Sequence, residues 1–205
     1  MDELPRRKIW LPSPELLVII GIGLVVSAIA IPGLMSSQRA SNERTASTDL
    51  RTLTSANADF RANDRDWNHV NDFWTGDVSG LYFVKSPPSG DEVKLIRPEV
   101  AGADFKPLFP LSRPCAKSGY LFLALDRDDS VPGPKGEYKV DTDKSGRKVH
   151  HLEMFGYSAF PNSHWTGKYV FTINENNTVF REAGTEPRTH FPSDAQLQQR
   201  WSIID

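Results

Sequence analysis

The sequence predicts an α+β protein in which one long N-terminal helix packs on a following domain built around an antiparallel sheet. Three observations predict it. Residues 16–35, LLVIIGIGLVVSAIAIPGLM, form an apolar run without a charged side chain. Residues 36–62 continue without Gly or Pro and carry a mostly apolar stripe at three- and four-residue spacing. Beyond residue 62, short β-branched and aromatic runs alternate with Gly, Pro and Asn clusters, the pattern of an antiparallel sheet.

The helix is predicted to start at Ser13-Pro14-Glu15. Ser13 can cap, Pro14 suits the first helical position, and Glu15 lies at the positive end of the helix dipole. Twenty residues at about 1.5 Å each cover roughly 30 Å, the hydrocarbon thickness of a bilayer, so residues 16–35 are read as a membrane span. Arg6, Arg7 and Lys8 precede the span. They make residues 1–13 a basic leader and place it in the cytoplasm. A competing reading takes the same basic residues and Ala28-Ile29-Ala30 as a cleaved signal peptide. Pro32 with Gly33 marks a predicted kink. Ala46, Leu50, Leu53, Asn57 and Phe60 form the stripe of the second half, while Arg39, Arg44, Asp49, Arg51 and Arg61 fall largely off it. The helix is therefore predicted over 14–62, apolar all round at first and amphipathic afterwards.

Residues 63–205 read as one α+β globular domain. Residues 63–78 form a polar loop with Trp67, Phe73 and Trp74 as a core-packing aromatic cluster. Strands are predicted at 81–84, 93–96, 120–125, 148–159, 168–173 and 178–181, with Asn174 to Asn177 as a hairpin tip. Ser193 caps a short C-terminal helix that docks through Leu197 and Trp201.

Composition excludes several functions. With 24 basic and 26 acidic residues the net charge is −2, which lacks the basic surface that nucleic-acid binding requires. The single cysteine, Cys115, excludes an intramolecular disulfide framework and a cysteine-rich zinc module. No nucleophile elbow, P-loop or C-x-x-C is present.

The strongest ligand pattern is Asp64, Asp66, Asn68, Val70 and Asp72. They supply side-chain oxygens at loop positions 1, 3, 5 and 9 and a carbonyl at position 7, the ligand order of an EF-hand-type Ca²⁺ loop. His69 stands at the usual Gly position and Thr75 at the usual Glu. Asp141, Asp143 and Ser145 make a second, weaker Ca²⁺ pattern. Asp126, Asp128 and Asp129 read as a solvated acidic loop. His150 and His151 are neighbours in a predicted strand and so face opposite sides, which prevents them from sharing one metal.

The N-terminal residues carry a resemblance. Glu15 opens ELLVIIGIG, Ala28-Ile29-Ala30-Ile31-Pro32 closes the run, and Pro32 lies seventeen residues after Glu15. This pattern, with NERTASTDLRTLTSA downstream, resembles the type IV pilin and type II secretion pseudopilin superfamily. The resemblance covers roughly residues 15–60. It implies a pilin-like fold with no enzymatic activity, anchored once in the inner membrane, with a cytoplasmic N-terminus and a periplasmic domain. It also implies partners in the membrane, namely other pilin-like or secretion-system subunits or further copies of the chain, engaged through the helix with Glu15 and Pro32 as its landmarks. Trp10 occupies the position of the family's cleavage-site Gly, so the processing site is degenerate. Pseudopilins of the major class bind calcium in a loop of their sheet region, which admits Ca²⁺ as a cofactor without requiring one. Two other readings stay open: an exported soluble binding protein or enzyme, and a calcium-dependent membrane-tethered adhesin or sensor.

Overall fold

The computed structural model describes residues 13–87, 89–110 and 113–204. The basic leader up to residue 12, including Trp10, lies outside them. Helix α1 spans Pro14–Ala62, the range expected from the sequence, and runs through Pro32. At its start the Ser13 carbonyl accepts the Leu17 N–H at 3.1 Å, and the Ser13 hydroxyl accepts the Leu16 N–H at 3.4 Å. The chain divides into two compact units, Met1–Gln38 and Arg39–Asp205.

In the first unit the helix exposes its apolar side chains all round, Ile29 to 75%. It is long and apolar enough to cross a membrane.

In the second unit the rest of α1 buries one face: Asn42, Ala46, Ser47, Asp49, Leu50, Leu53, Thr54, Ala56, Asn57 and Phe60. The predicted stripe is all there. Asp49 was expected off it and is buried instead, because Arg97 at 2.8 Å and Lys117 pair with its carboxylate from distant loops. The face packs on a five-stranded antiparallel sheet. After β1 (Phe73–Trp74) the strands are β2 (Tyr120–Ala124), β3 (Arg127–Asp128), β4 (His150–His151), β5 (Gly156–Pro161), β6 (Tyr169–Asn174), β7 (Val179–Ala183), β8 (His190–Phe191) and β9 (Ser202–Ile204). The main sheet has the order β2-β5-β6-β7-β9. The pairs β1–β4, antiparallel, and β3–β8, parallel, stand apart from it.

Leu50, Leu53 and Phe60 share one core with Phe122, Tyr157, Phe171 and Ile173, each large side chain contributing roughly 1.5–3 kcal/mol by leaving water. Leu121, Leu123, Phe160 and Val170 form a second cluster. Strand β2 is buried at every residue and so reads as a continuous apolar run. Asn57 is the polar member of the stripe. Its amide donates to the Trp74 carbonyl and the Tyr157 hydroxyl, both at 2.9 Å, and its oxygen accepts the Trp74 N–H at 2.9 Å. One side chain thereby ties α1 to β1 and β5.

Several expectations change. Residues 81–84 were read as a strand, but Gly80–Phe83 is the short helix α2, whose start is held by Asp77, three residues before Gly80, and by Asp104, remote in sequence. Residues 93–96 make backbone bonds to 81–84 without becoming a strand: Val93 donates to Val84 and Leu95 to Leu81, both at 2.9 Å. Helix α3 (Pro98–Ala101) follows. Residues 148–159 split into β4 and β5. The C-terminal helix α4 (Asp194–Arg200) forms with the Ser193–Gln196 capping box, and Leu197 and Trp201 are half-buried. Strand β9, unexpected from sequence, then pairs with β7.

Candidate functional site

The loop from α1 to β1 begins as a helix C-cap. The Arg65 N–H returns to the Phe60 carbonyl at 3.2 Å and the Asp64 N–H to Arg61 at 3.4 Å. Asp64 has a left-handed φ of 44°, so these bonds form a Schellman motif. Trp67 (φ 56°) and His69 (φ 63°) repeat the left-handed turn, which curls the loop tightly. Phe73 and Trp74 are buried as expected, whereas Trp67 is 53% exposed and is no part of the core.

The curl directs the five Ca²⁺-pattern residues in different directions. Asp64 Oδ2 accepts the His69 N–H at 3.2 Å. Asn68 Oδ1 accepts the Val70 N–H at 2.7 Å, and the Val70 carbonyl accepts the Asp72 N–H at 3.0 Å. These three residues spend oxygens on the loop's own backbone. Asp66 and Asp72 point inward, and there they meet His150.

His150 is placed by strand register. Strand β1 pairs with β4 so that Trp74 faces His150 and Phe73 faces His151. The two histidines lie on opposite sides, as alternation requires: His150 is fully buried and His151 half-buried. The imidazole packs against Trp74, ring centroids 5.4 Å apart, and Phe60 at 6.5 Å. Its Nε2 lies 3.1 Å from Asp66 Oδ2 and its Nδ1 4.0 Å from Asp72 Oδ2. Neither ring nitrogen is aligned for a hydrogen bond, and Asp66 Oδ1 and Asp72 Oδ1 are buried without a donor. Asp72 Oδ2 accepts the Thr142 hydroxyl and, at 3.4 Å, the Asn68 amide. Burial pushes the Asp72 carboxyl above the usual carboxylate range, against the opposing effects of Thr142 and His150. Asp66, Asp72 and His150 present one ligand atom each within 4.8 Å of one another, the one such group of three among the described residues. Sequence reading selected the two acids and set His150 aside, since only the β1–β4 register brings it to them.

Asp66 also lines a cleft of about 540 Å³ with Trp74, Phe83, Phe109 and Arg147. Asp66 thus borders an opening, while Asp72 lies buried behind it.

The second Ca²⁺ pattern forms a turn. The Ser145 N–H donates to Asp143 at 3.0 Å and the Gly146 N–H to Asp141 at 2.9 Å. Hydrogen bonds from Ser145 hold the Asp143 carboxyl below its ordinary range. The acidic loop at 126–129 is not simply solvated: Asp128 is buried, accepting Ser130 and the Tyr138 hydroxyl, while Asp126 pairs with Lys139 and Asp129 with Arg127. Cys115 is an exposed free thiol. Glu15 and Pro32 lie in the exposed helix of the first unit. No family model, curated protein or solved structure matches the chain.

Proposed function

We propose that the chain is a single-pass, membrane-anchored structural or assembly subunit of the pilin and pseudopilin type, serving a type IV pilus or type II secretion system without enzymatic activity of its own. The observation that carries this reading is the asymmetry of α1. One continuous helix is apolar and exposed all round over its first part, and buries a single face on an antiparallel sheet over its second. A helix with that division serves as a bilayer anchor and a domain scaffold at once. Arg6, Arg7 and Lys8 support a cytoplasmic N-terminus, which puts the domain in the periplasm. Association then runs through the apolar helix face between Glu15 and Pro32, to like or related subunits.

Fractionation and mass spectrometry test it. The full chain is expected in the inner membrane, resistant to carbonate extraction, with its domain open to protease only from the periplasmic side. Replacing both Val25 and Val26 by Arg adds roughly 5–7 kcal/mol to insertion and is expected to release the protein from membranes. With Cys115→Ser as background, Leu24→Cys is expected to cross-link to neighbouring subunits. A soluble form beginning at Ile31 overturns the reading in favour of a cleaved signal peptide.

A further inference from the structure

We infer that Asp66, Asp72 and His150 form a binding site for a divalent transition metal of the Zn²⁺ type, which clamps the α1–β1 loop to β4. The inference rests on the globular unit alone, so it stands or falls separately from the membrane reading.

Two independent observations converge on it. The first is the donor set: one imidazole nitrogen and two carboxylates whose ligand atoms lie within 4.8 Å of one another. Around a tetrahedral ion with bonds of about 2.0–2.1 Å, neighbouring ligand atoms sit roughly 3.3 Å apart. The 3.1 Å between His150 Nε2 and Asp66 Oδ2 is close to that edge. The second is a hydrogen-bond deficit. The His150 and Asp72 side chains are fully buried and Asp66 is 9% exposed, yet both ring nitrogens and one oxygen of each acid lack a hydrogen bond. Buried polar atoms without partners are costly, and a cation bound to one ring nitrogen and to one oxygen of each acid gives every one of the three residues a partner.

The surroundings suit an ion. The Thr142 hydroxyl and the Asn68 amide hold Asp72 by Oδ2 and leave Oδ1 to ligate. Such outer contacts orient a ligating carboxylate. Phe60 and Trp74 fix the imidazole plane by packing. Asp66 opens on the cleft, which supplies an entry path and room for a water ligand. Arg147 on the same cleft sets a positive charge near the entry.

The donor chemistry selects the ion. Ca²⁺ takes six to eight oxygens, and Asp64 Oδ2, Asn68 Oδ1 and the Val70 carbonyl each already accept a backbone N–H within the loop, while Asp64 Oδ1 is no member of the three-residue group. Imidazole with two carboxylates suits Zn²⁺, Co²⁺ or Mn²⁺. In a chain whose one cysteine cannot form an internal disulfide, a metal clamp joining residues 66 and 72 to residue 150 supplies a cross-link across the domain.

The full-length chain carrying Cys115→Ser, which removes the exposed thiol as a rival ligand, is stripped with chelator in detergent and titrated with Zn²⁺, Co²⁺, Mn²⁺ and Ca²⁺. Expected results are one Zn²⁺ per chain, a rise in unfolding temperature with Zn²⁺ and none with Ca²⁺, and a Co²⁺ visible spectrum of a four- or five-coordinate N/O site. Asp66→Asn and His150→Gln, isosteric or nearly so, are each expected to weaken Zn²⁺ binding at least about tenfold. If a variant does not fold, the Co²⁺ spectrum of the parent and hyperfine coupling of bound Cu²⁺ to one imidazole nitrogen still decide. Absence of stoichiometric binding, equal stabilisation by Ca²⁺, or Zn²⁺ affinity unchanged in both variants overturns the site.

Discussion

The chain buries two pairs of carboxylates around β1 and treats them in opposite ways. Asp77 and Asp104 are saturated with donors. Asp77 accepts the Trp74 indole N–H and the Gly80 N–H, both at 2.9 Å, the Leu108 N–H at 2.7 Å and the Ser79 hydroxyl. Asp104 accepts the Val78 and Ser79 N–H groups at 2.8 Å and Lys106 at 3.0 Å. Asp66 and Asp72 each keep an oxygen without a donor and face an imidazole that is itself unbonded. A buried acid surrounded by N–H groups is a structural part, here holding the start of α2 from nearby (Asp77) and from afar (Asp104). A buried acid with free lone pairs beside an imidazole is a ligand. The difference lies chiefly in which donors the local backbone offers: Asp72 is as hidden from water as Asp77 and Asp104, while Asp66 borders the cleft.

Breaking the saturated pair is expected to have the largest effect. Asp77→Ala removes the carboxylate acceptor of four donors at once, three of them buried, and is expected to cost about 4 kcal/mol in urea unfolding followed by tryptophan fluorescence. A smaller loss of a few tenths would show that α2 does not depend on Asp77.

Titration of Asp104 comes next. Burial, with the Asp77 carboxylate adding to it, pushes its carboxyl up to about 6. Between its unfolded value near 4 and 6 the folded state therefore holds more protons than the unfolded one. Its contribution to stability is full below about pH 4 and lost as pH rises through 6, a swing of up to about 3 kcal/mol. The difference in stability between wild type and Asp104→Asn, measured from pH 4 to 7, is expected to fall along that window. A difference independent of pH would mean that the carboxyl is not raised.

The smallest effect falls on the unsaturated pair, and it sharpens the contrast. In chelator, Asp66→Asn is expected to change stability by less than about 1 kcal/mol, because it removes a poorly compensated charge and breaks no hydrogen bond to Asp66. A loss approaching that of Asp77→Ala would mean that the Asp66–His150 ion pair is itself structural.

What could be read from the sequence follows the range of the forces involved. Helix α1 was legible to its ends because the cap at Ser13, the apolar run and the stripe from Ala46 to Phe60 are local signals. The α+β class, and strands β2, β6 and β7, were legible from their β-branched and aromatic runs. Helix α2 was misread as a strand because Leu81-Tyr82-Phe83-Val84 carries a strand's composition, while its helix is started by Asp77 and oriented by Asp104. Strand β1 hid inside a polar loop because two residues, Phe73 and Trp74, have no period of their own and become a strand only opposite His150 and His151. Asp49 left the solvent for the same reason, since Arg97 and Lys117 come from afar. The candidate site was half legible: spacing marked Asp66 and Asp72, and alternation put the two histidines on opposite sides. Which one meets the acids depends on a register that no local pattern encodes.

The bonds of Asn57 also set a timetable. Its partner Tyr157 lies 100 residues further along the chain. At about 5–20 residues per second, a growing chain takes roughly 5–20 s to make that residue after Asn57. Throughout that interval Leu50, Leu53 and Phe60 have no sheet to cover them. A helix apolar enough at one end to cross a membrane thus leaves the ribosome with a second sticky face, uncovered until β5 arrives.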